Sequence, residues 1–197
     1  MQTLYIEKLS EDNLGDCLRH MFPNAIITHQ KRIKINKSTL IVDYEVSIDN
    51  HILYIEFDGP THYTKTKTQI RDIKLKQFCL TSNITLIRIP YFIQFNDASI
   101  RVLFGNSITD TYNIENSVLC SYPCGFWDKK IVTPADYNPY GCSLFISQYQ
   151  YFFMKEFDYF SQSQAIHDSA TLNFDKEEFI GLNPTDDMIL FWHNYPT

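Results

Sequence analysis

TLIVDYEVSIDNHILYIEFDGPTH, residues 39–62, is two alternating runs around a polar pair. Val42, Tyr44, Val46 and Ile48 alternate with Asp43, Glu45 and Ser47; Leu53, Ile55 and Phe57 alternate with Tyr54, Glu56 and Asp58. Period-two alternation on both sides of a short loop predicts a hairpin of strands 39–48 and 52–58 turning at Asp49-Asn50. The turn sets the register: Ile48 meets His51, Val46 meets Leu53, Tyr44 meets Ile55 and Val42 meets Phe57. One face is then apolar, with Val42, Tyr44, Val46 and Ile48 together. The other sets Asp43 opposite Glu56, about 5 Å apart at Cβ, with Asp58 roughly 6 to 7 Å further along the strand. Gly59-Pro60 ends the second strand.

Like charges placed opposite each other destabilise a hairpin unless something positive lies between them. A hard divalent cation with oxygen ligands, Mg²⁺ or Mn²⁺, fits that place. Simple solvation of both carboxylates fits it too, as does a Lys or Arg from the next strand. His62 follows Asp58 by four residues on the loop leaving the strand. There an imidazole can bind metal, polarise a phosphate or exchange a proton, although a lone loop histidine more often does none of these. Glu11 falls in the first turn of a helix, where the helix dipole alone would favour it. Arg71 and Asp72 open a later helix and read as a surface pair.

Around the hairpin, residues 10–21 predict a helix, with Ser10 as N-cap and Leu14, Cys17, Leu18 and Met21 at helical spacing. Residues 25–35 predict a strand with a basic stripe of Lys31, Arg32 and Lys34, and 36–38 a turn. Residues 67–83 predict a helix with Ile70, Ile73, Gln77 and Leu80 on its apolar stripe. Residues 84–89 (ITLIRI) predict a short strand and 98–104 a helix. The order is α-β-β-β-α-β. Residues 105–142 read as irregular. The aromatic-rich run 143–160 reads as a helix, with strand the alternative, and its stripe as core or partner-facing rather than base-stacking; residues 186–193 read as a last helix.

A hydrophobic content of 44% permits a globular core. No apolar run approaches the roughly 18 to 20 residues that span a bilayer, and residues 1–9 do not form a signal peptide, so the expected compartment is the cytoplasm of a bacterial or virus-infected cell. Five cysteines are no disulfide framework, and the spacing of Cys120, Cys124 and Cys142 leaves a zinc site only conceivable. The net charge is −6, unevenly spread. Residues 1–104 carry 13 Lys and Arg against 11 Asp and Glu, +2, and residues 105–197 carry 4 against 12, −8. A mildly basic half beside an acidic one suits a phosphate-binding domain joined to something else, or two ordinary solvated surfaces.

The segment 11–91 resembles the PD-(D/E)XK nuclease superfamily, in the branch related to very-short-patch repair endonucleases and to phage and viral homing endonucleases. The matching elements are SEDNLGDCL, THQKRIKI, IVDYEV, YIEFDGPTHY, RDIKLKQFC and ITLIRIPYF, in that order. The resemblance implies a restriction-endonuclease-like α-β-β-β-α-β core with a mixed sheet over residues 1–104, and a C-terminal extension over 105–197. It implies a metal-dependent endonuclease that hydrolyses phosphodiester bonds in DNA, with RNA also open as substrate. Carried over, Asp43 and Glu56 hold one or two Mg²⁺ or Mn²⁺ ions. Asp58 stands where the signature has its Lys, as in branches with E-x-D-G followed by His, so Asp58 is expected to assist at the metal. His62 is the first choice for the developing charge, and Lys74 or Lys76 the second. Leu75 occupies the place where related viral sequences often carry Lys. Glu11 corresponds to an acidic residue that some branches supply from the first helix. Lys31, Arg32, Lys34, Lys37, Lys65 and Lys67 are the expected phosphate contacts. YIEFDGPTHY also resembles the RAP domain, which leaves a catalytically silent RNA-binding module as an alternative; Asp43 favours the nuclease. A protein-interaction or inhibitor role for the acidic half is a third reading. Residues after 105 are where target choice or a homodimer contact would lie.

Overall fold

The computed structural model describes residues 3–7, 9–35, 38–91, 93, 95–120, 141, 144 and 148. In chain order the elements are β1 (Leu4–Ile6), α1 (Glu11–Met21), β2 (Ile26–Ile35), β3 (Ser38–Ile48), β4 (His51–Asp58), α2 (Thr61–Thr64), α3 (Thr66–Ser82), β5 (Thr85–Pro90), α4 (Asp97–Tyr112) and β6 (Val118–Cys120). The fold is mixed α/β. A four-stranded sheet runs β2-β3-β4-β5, antiparallel except for the parallel β4–β5 pair, and β1 and β6 form a separate parallel pair.

Local chemistry sets the hairpin. Asp49 (φ 48°) and Asn50 (φ 64°) both adopt left-handed backbone, which a two-residue hairpin loop requires and which Asp and Asn tolerate better than most residues. Ile48 pairs with His51, Val46 with Leu53 and Tyr44 with Ile55, the register that the turn predicts. Ser10 caps α1, accepting from the Asn13 amide while the Asn13 side chain accepts from the Ser10 amide. Leu14, Cys17, Leu18 and Met21 are buried along its inner stripe.

At Asp43 the sheet departs from regular alternation. The β2–β3 ladder omits the Gln30–Asp43 step, Gln30 sits at φ 50°, and the β3–β4 ladder ends at Tyr44–Ile55. A regular antiparallel continuation would send the Phe57 amide to the carbonyl of Val42. Instead it donates to Asp43 Oδ2 at 2.8 Å, and the Asp43 amide donates to Glu56 Oε1 at 3.3 Å. The consequence is a change of face. Alternation places Val42 with Tyr44, but Val42 joins a cluster with Ile33, Leu40, Tyr54, Leu75 and Cys79, on the side of α3. Tyr44 turns to α1, where its hydroxyl donates to the Glu11 carbonyl and its ring lies against Gly15.

Three other expectations are corrected. The inward stripe of α3 is Gln69, Asp72, Leu75 and Cys79, while Leu80 is 72% exposed and Gln77 is also exposed. The apolar count rotates that stripe wrongly because the N-terminal half of the helix buries polar side chains. Asp72 is accordingly buried rather than part of a surface pair. The chain beyond Gly105 is not irregular as far as Cys120: α4 bends at Gly105 (φ 76°) and continues to Tyr112, and β6 then pairs with β1. A glycine that accepts left-handed backbone lets the helix turn a corner instead of ending.

By packing, the chain divides into two compact units, Met1–Asp58 with Ile73–Lys130 and Gly59–Asp72 with Ile131–Thr197. The first contains both sheets, α1 and α4. In the described part of the second, the Tyr63 hydroxyl donates to Gln148, and Gly141 lies so near the Tyr63 carbonyl that a Cβ there would overlap it. No helix among the described residues is long and apolar enough to cross a membrane. Lys37, Cys124, Cys142, residues 186–193 and all of 143–160 except Leu144 and Gln148 lie outside the described residues.

Candidate metal centre

β4 runs between β3 and β5, so both its edges are paired, and Glu56 and Asp58 are fully buried. Acidic side chains rarely enter an interior without partners. Each has one. Glu56 Oε1 accepts from the Asp43 amide. Asp58 accepts both arms of Arg88: Nε to Oδ2 at 2.7 Å and Nη2 to Oδ1 at 2.6 Å. Arg88 comes from β5, directly beside Glu56 in the parallel register.

After Asp58 the chain turns sharply. The amides of His62 and Tyr63 donate to the carbonyls of Gly59 and Pro60, forming α2. The turn carries the His62 ring inward, to 7% exposure. Its Nδ1 lies 2.7 Å from Asp72 Oδ2, one turn before Leu75 on the inner stripe of α3. Glu56, Asp58 and His62 each offer a ligand atom, and these atoms lie within 4.8 Å of one another. Two carboxylates and an imidazole are a donor set that could hold a divalent metal ion.

The local field is negative on the α3 side. Burial first, and then the charge of Glu56, push the Cys79 thiol up from its ordinary 9.0 to about 11. Burial, with Glu45 second, raises the Tyr54 hydroxyl to about 12.

Asp43 and Glu11 stand outside the group of three. Asp43 is tied to it through the reciprocal bonds with β4, whereas Glu11 is exposed at the start of α1. Lys31 pairs with Glu45 at 2.7 Å, so its charge is already engaged within the sheet. Arg32, Lys34, Lys65 and Lys67 are exposed. Lys74 and Lys76 are exposed on either side of the buried Leu75, on the outer part of α3. Sequence reasoning missed Arg88 and Asp72. A signal existed for each: Arg88 interrupts an otherwise apolar strand, and Asp72 lies three residues from Gln69 and from Leu75, on one helical stripe.

The chain matches no protein-family model, and searches of curated proteins and of solved structures likewise give no match.

Proposed function

We propose that the chain is a metal-dependent endonuclease of the PD-(D/E)XK kind, acting on phosphodiester bonds in DNA. The observation that carries this reading is the convergence of Glu56, Asp58 and His62 at the end of β4, beside Asp43. The run α1-β2-β3-β4-α3-β5, with a mixed sheet, supports it as the α-β-β-β-α-β order of a restriction-endonuclease-like core.

Glu56, Asp58 and His62 would hold the cation, with Asp43 beside Glu56. A divalent ion bound there would supply Lewis-acid polarisation of the scissile phosphate. The residues of the chain provide the rest. Asp72 fixes the His62 ring by taking its Nδ1, which leaves Nε2 as the nitrogen that would face the cation. Arg32, Lys34, Lys65 and Lys67 offer exposed charge for the nucleic-acid backbone. RNA is the alternative substrate.

The test is incubation of plasmid, single-stranded DNA and RNA with Mg²⁺ or Mn²⁺, alongside Glu56→Gln. Cleavage of DNA by the wild type is expected. Its loss in Glu56→Gln should exceed the roughly 10- to 100-fold that removing a residue behind a ligand costs. Binding without cleavage in either metal would select a silent module of the same fold instead.

A further inference from the structure

The β3–β4 ladder ends at Tyr44–Ile55, but β2 and β3 stay paired for five more rows, Lys31–Val42, Arg32–Ile41, Ile33–Leu40, Lys34–Thr39 and Ile35–Ser38. Side chains opposite each other in such a pair share a face, and the face alternates from row to row. One face of this ribbon is apolar: Ile33, Leu40 and Val42 pack with Leu75 and Cys79 of α3. The other sets Arg32 beside Ile41 and Lys34 beside Thr39, all four exposed. Lys31 shares its row with Val42 and so belongs to the α3 side, where Glu45 pairs with it at 2.7 Å. Positive charge is therefore sorted onto the outer face, whose own two rows contain no carboxylate. The two cations sit on β2, the edge strand of the sheet, and Ile41 and Thr39 on the strand inside it.

We propose that this ribbon is the surface on which a DNA duplex docks, with its outer face in the major groove. The proposal rests on reading the chain as one that acts on nucleic acid, and it selects B-form DNA as the duplex. A major groove about 12 Å wide admits a two-stranded ribbon, whose strands lie about 4.8 Å apart. The major groove of an RNA duplex is too deep and narrow for it. Arg32 and Lys34, on the outer strand, reach the phosphates at the rim of the groove, while Ile41 and Thr39 turn to the base edges. Packing of the inner face on α3 holds the ribbon in shape before DNA arrives, which lowers the ordering cost of binding. The ribbon begins at Asp43, whose amide donates to Glu56 Oε1. The Arg32–Ile41 row is two residues from Asp43, roughly 6 to 7 Å along the strand, so a duplex seated there lies beside the candidate centre.

The experiment measures binding in Ca²⁺ across a salt series for the wild type, Arg32→Ala/Lys34→Ala and Lys74→Ala/Lys76→Ala, the last removing two exposed charges from α3 instead. The probes are a mixed-sequence DNA duplex, the same duplex with glucosylated 5-hydroxymethylcytosine, and the RNA duplex of that sequence. The glucose groups fill the major groove and leave the phosphates untouched. Arg32→Ala/Lys34→Ala should bind the DNA duplex roughly tenfold more weakly, and its log–log salt slope should shrink by about 1.8, two phosphate contacts. The α3 variant should keep the wild-type slope, and circular dichroism checks that both variants fold. The wild type should bind the glucosylated and RNA duplexes roughly tenfold more weakly than the plain DNA duplex. An unchanged slope in Arg32→Ala/Lys34→Ala overturns the proposal, as does a slope that falls as far in the α3 variant. So does equal binding of the plain duplex and either of the other two. A wild type that binds no DNA duplex overturns it as well, whereas cleavage of single-stranded DNA or RNA in Mn²⁺ would still uphold the nuclease reading. Duplex binding that depends on the ribbon, without cleavage in Mg²⁺ or Mn²⁺, upholds the docking surface and removes the nuclease reading alone.

Discussion

At Nδ1 of His62 the carboxylate of Asp72 stands 2.7 Å away with both groups buried, so the imidazole is aimed by a residue ten positions along the chain. Asp72→Asn keeps the shape and removes the charge behind the ring. We expect it to lower Mn²⁺ affinity or cleavage roughly 10- to 100-fold with the fold intact, measured by calorimetry and turnover beside a circular-dichroism control. Unchanged values in both assays would detach Asp72 from the site. The closeness of Glu56, Asp58 and His62 was legible because they fall within seven residues, two of them on a strand pattern that sets their spacing. Asp72 and Arg88 were not. Their partners are chosen by how α3 and β5 fall against β4, and no local periodicity encodes that choice. A charged residue inside an apolar strand signals that a partner exists without saying which.

Among the elements, the hairpin was readable because Asp49-Asn50 leaves one favourable way to turn, and that turn fixes every pair up to Tyr44–Ile55. The reading broke at Asp43, where a side chain takes the place of a backbone acceptor and the strand changes face. Strict alternation cannot anticipate this. The neighbouring layer shows the same precision of fit. Gly15 lies in the middle of α1, where alanine would favour the helix by about 1 kcal/mol. A Cβ at Gly15 would stand 2.8 Å from the Tyr44 hydroxyl and 3.0 Å from its ring. Gly15→Ala should therefore destabilise the protein, by about 1 to 3 kcal/mol, read as a lower urea midpoint. Tyr44→Phe in the same chain should recover part of that loss, because the closest contact is the hydroxyl. A midpoint that rises in Gly15→Ala would show that Tyr44 moves aside freely.

Over the whole molecule, the α/β order came through because helix and strand periods alternate cleanly from residue 10 to residue 90. The β1–β6 pair and the continuation of α4 did not, since three-residue strands carry too little pattern and glycine usually reads as a stop. The interior has a titration signature of its own. Burial is the first cause that lifts the thiols of Cys17 and Cys120 from 9.0 to about 12 and that of Cys79 to about 11. A thiol whose pKa is higher folded than unfolded favours the native state fully below the unfolded value and ceases to do so as pH climbs through the folded one. Stability should thus decline as pH rises from about 9 toward 12, seen as a falling urea midpoint. A midpoint flat across that range would contradict the burial of these thiols. In the native protein at neutral pH, iodoacetamide should spare Cys17, Cys79 and Cys120 and label them after denaturation, as peptide mass spectrometry would read.

The β1–β6 clasp joins Leu4 to Val118 and Ile6 to Cys120. During synthesis, the first strand emerges from the ribosome more than a hundred residues ahead of the one it pairs with. The four-stranded sheet has all its strands in hand by Pro90, so it can assemble while β1 still waits. Closure of the clasp then follows assembly of that sheet, late among the described strand pairings.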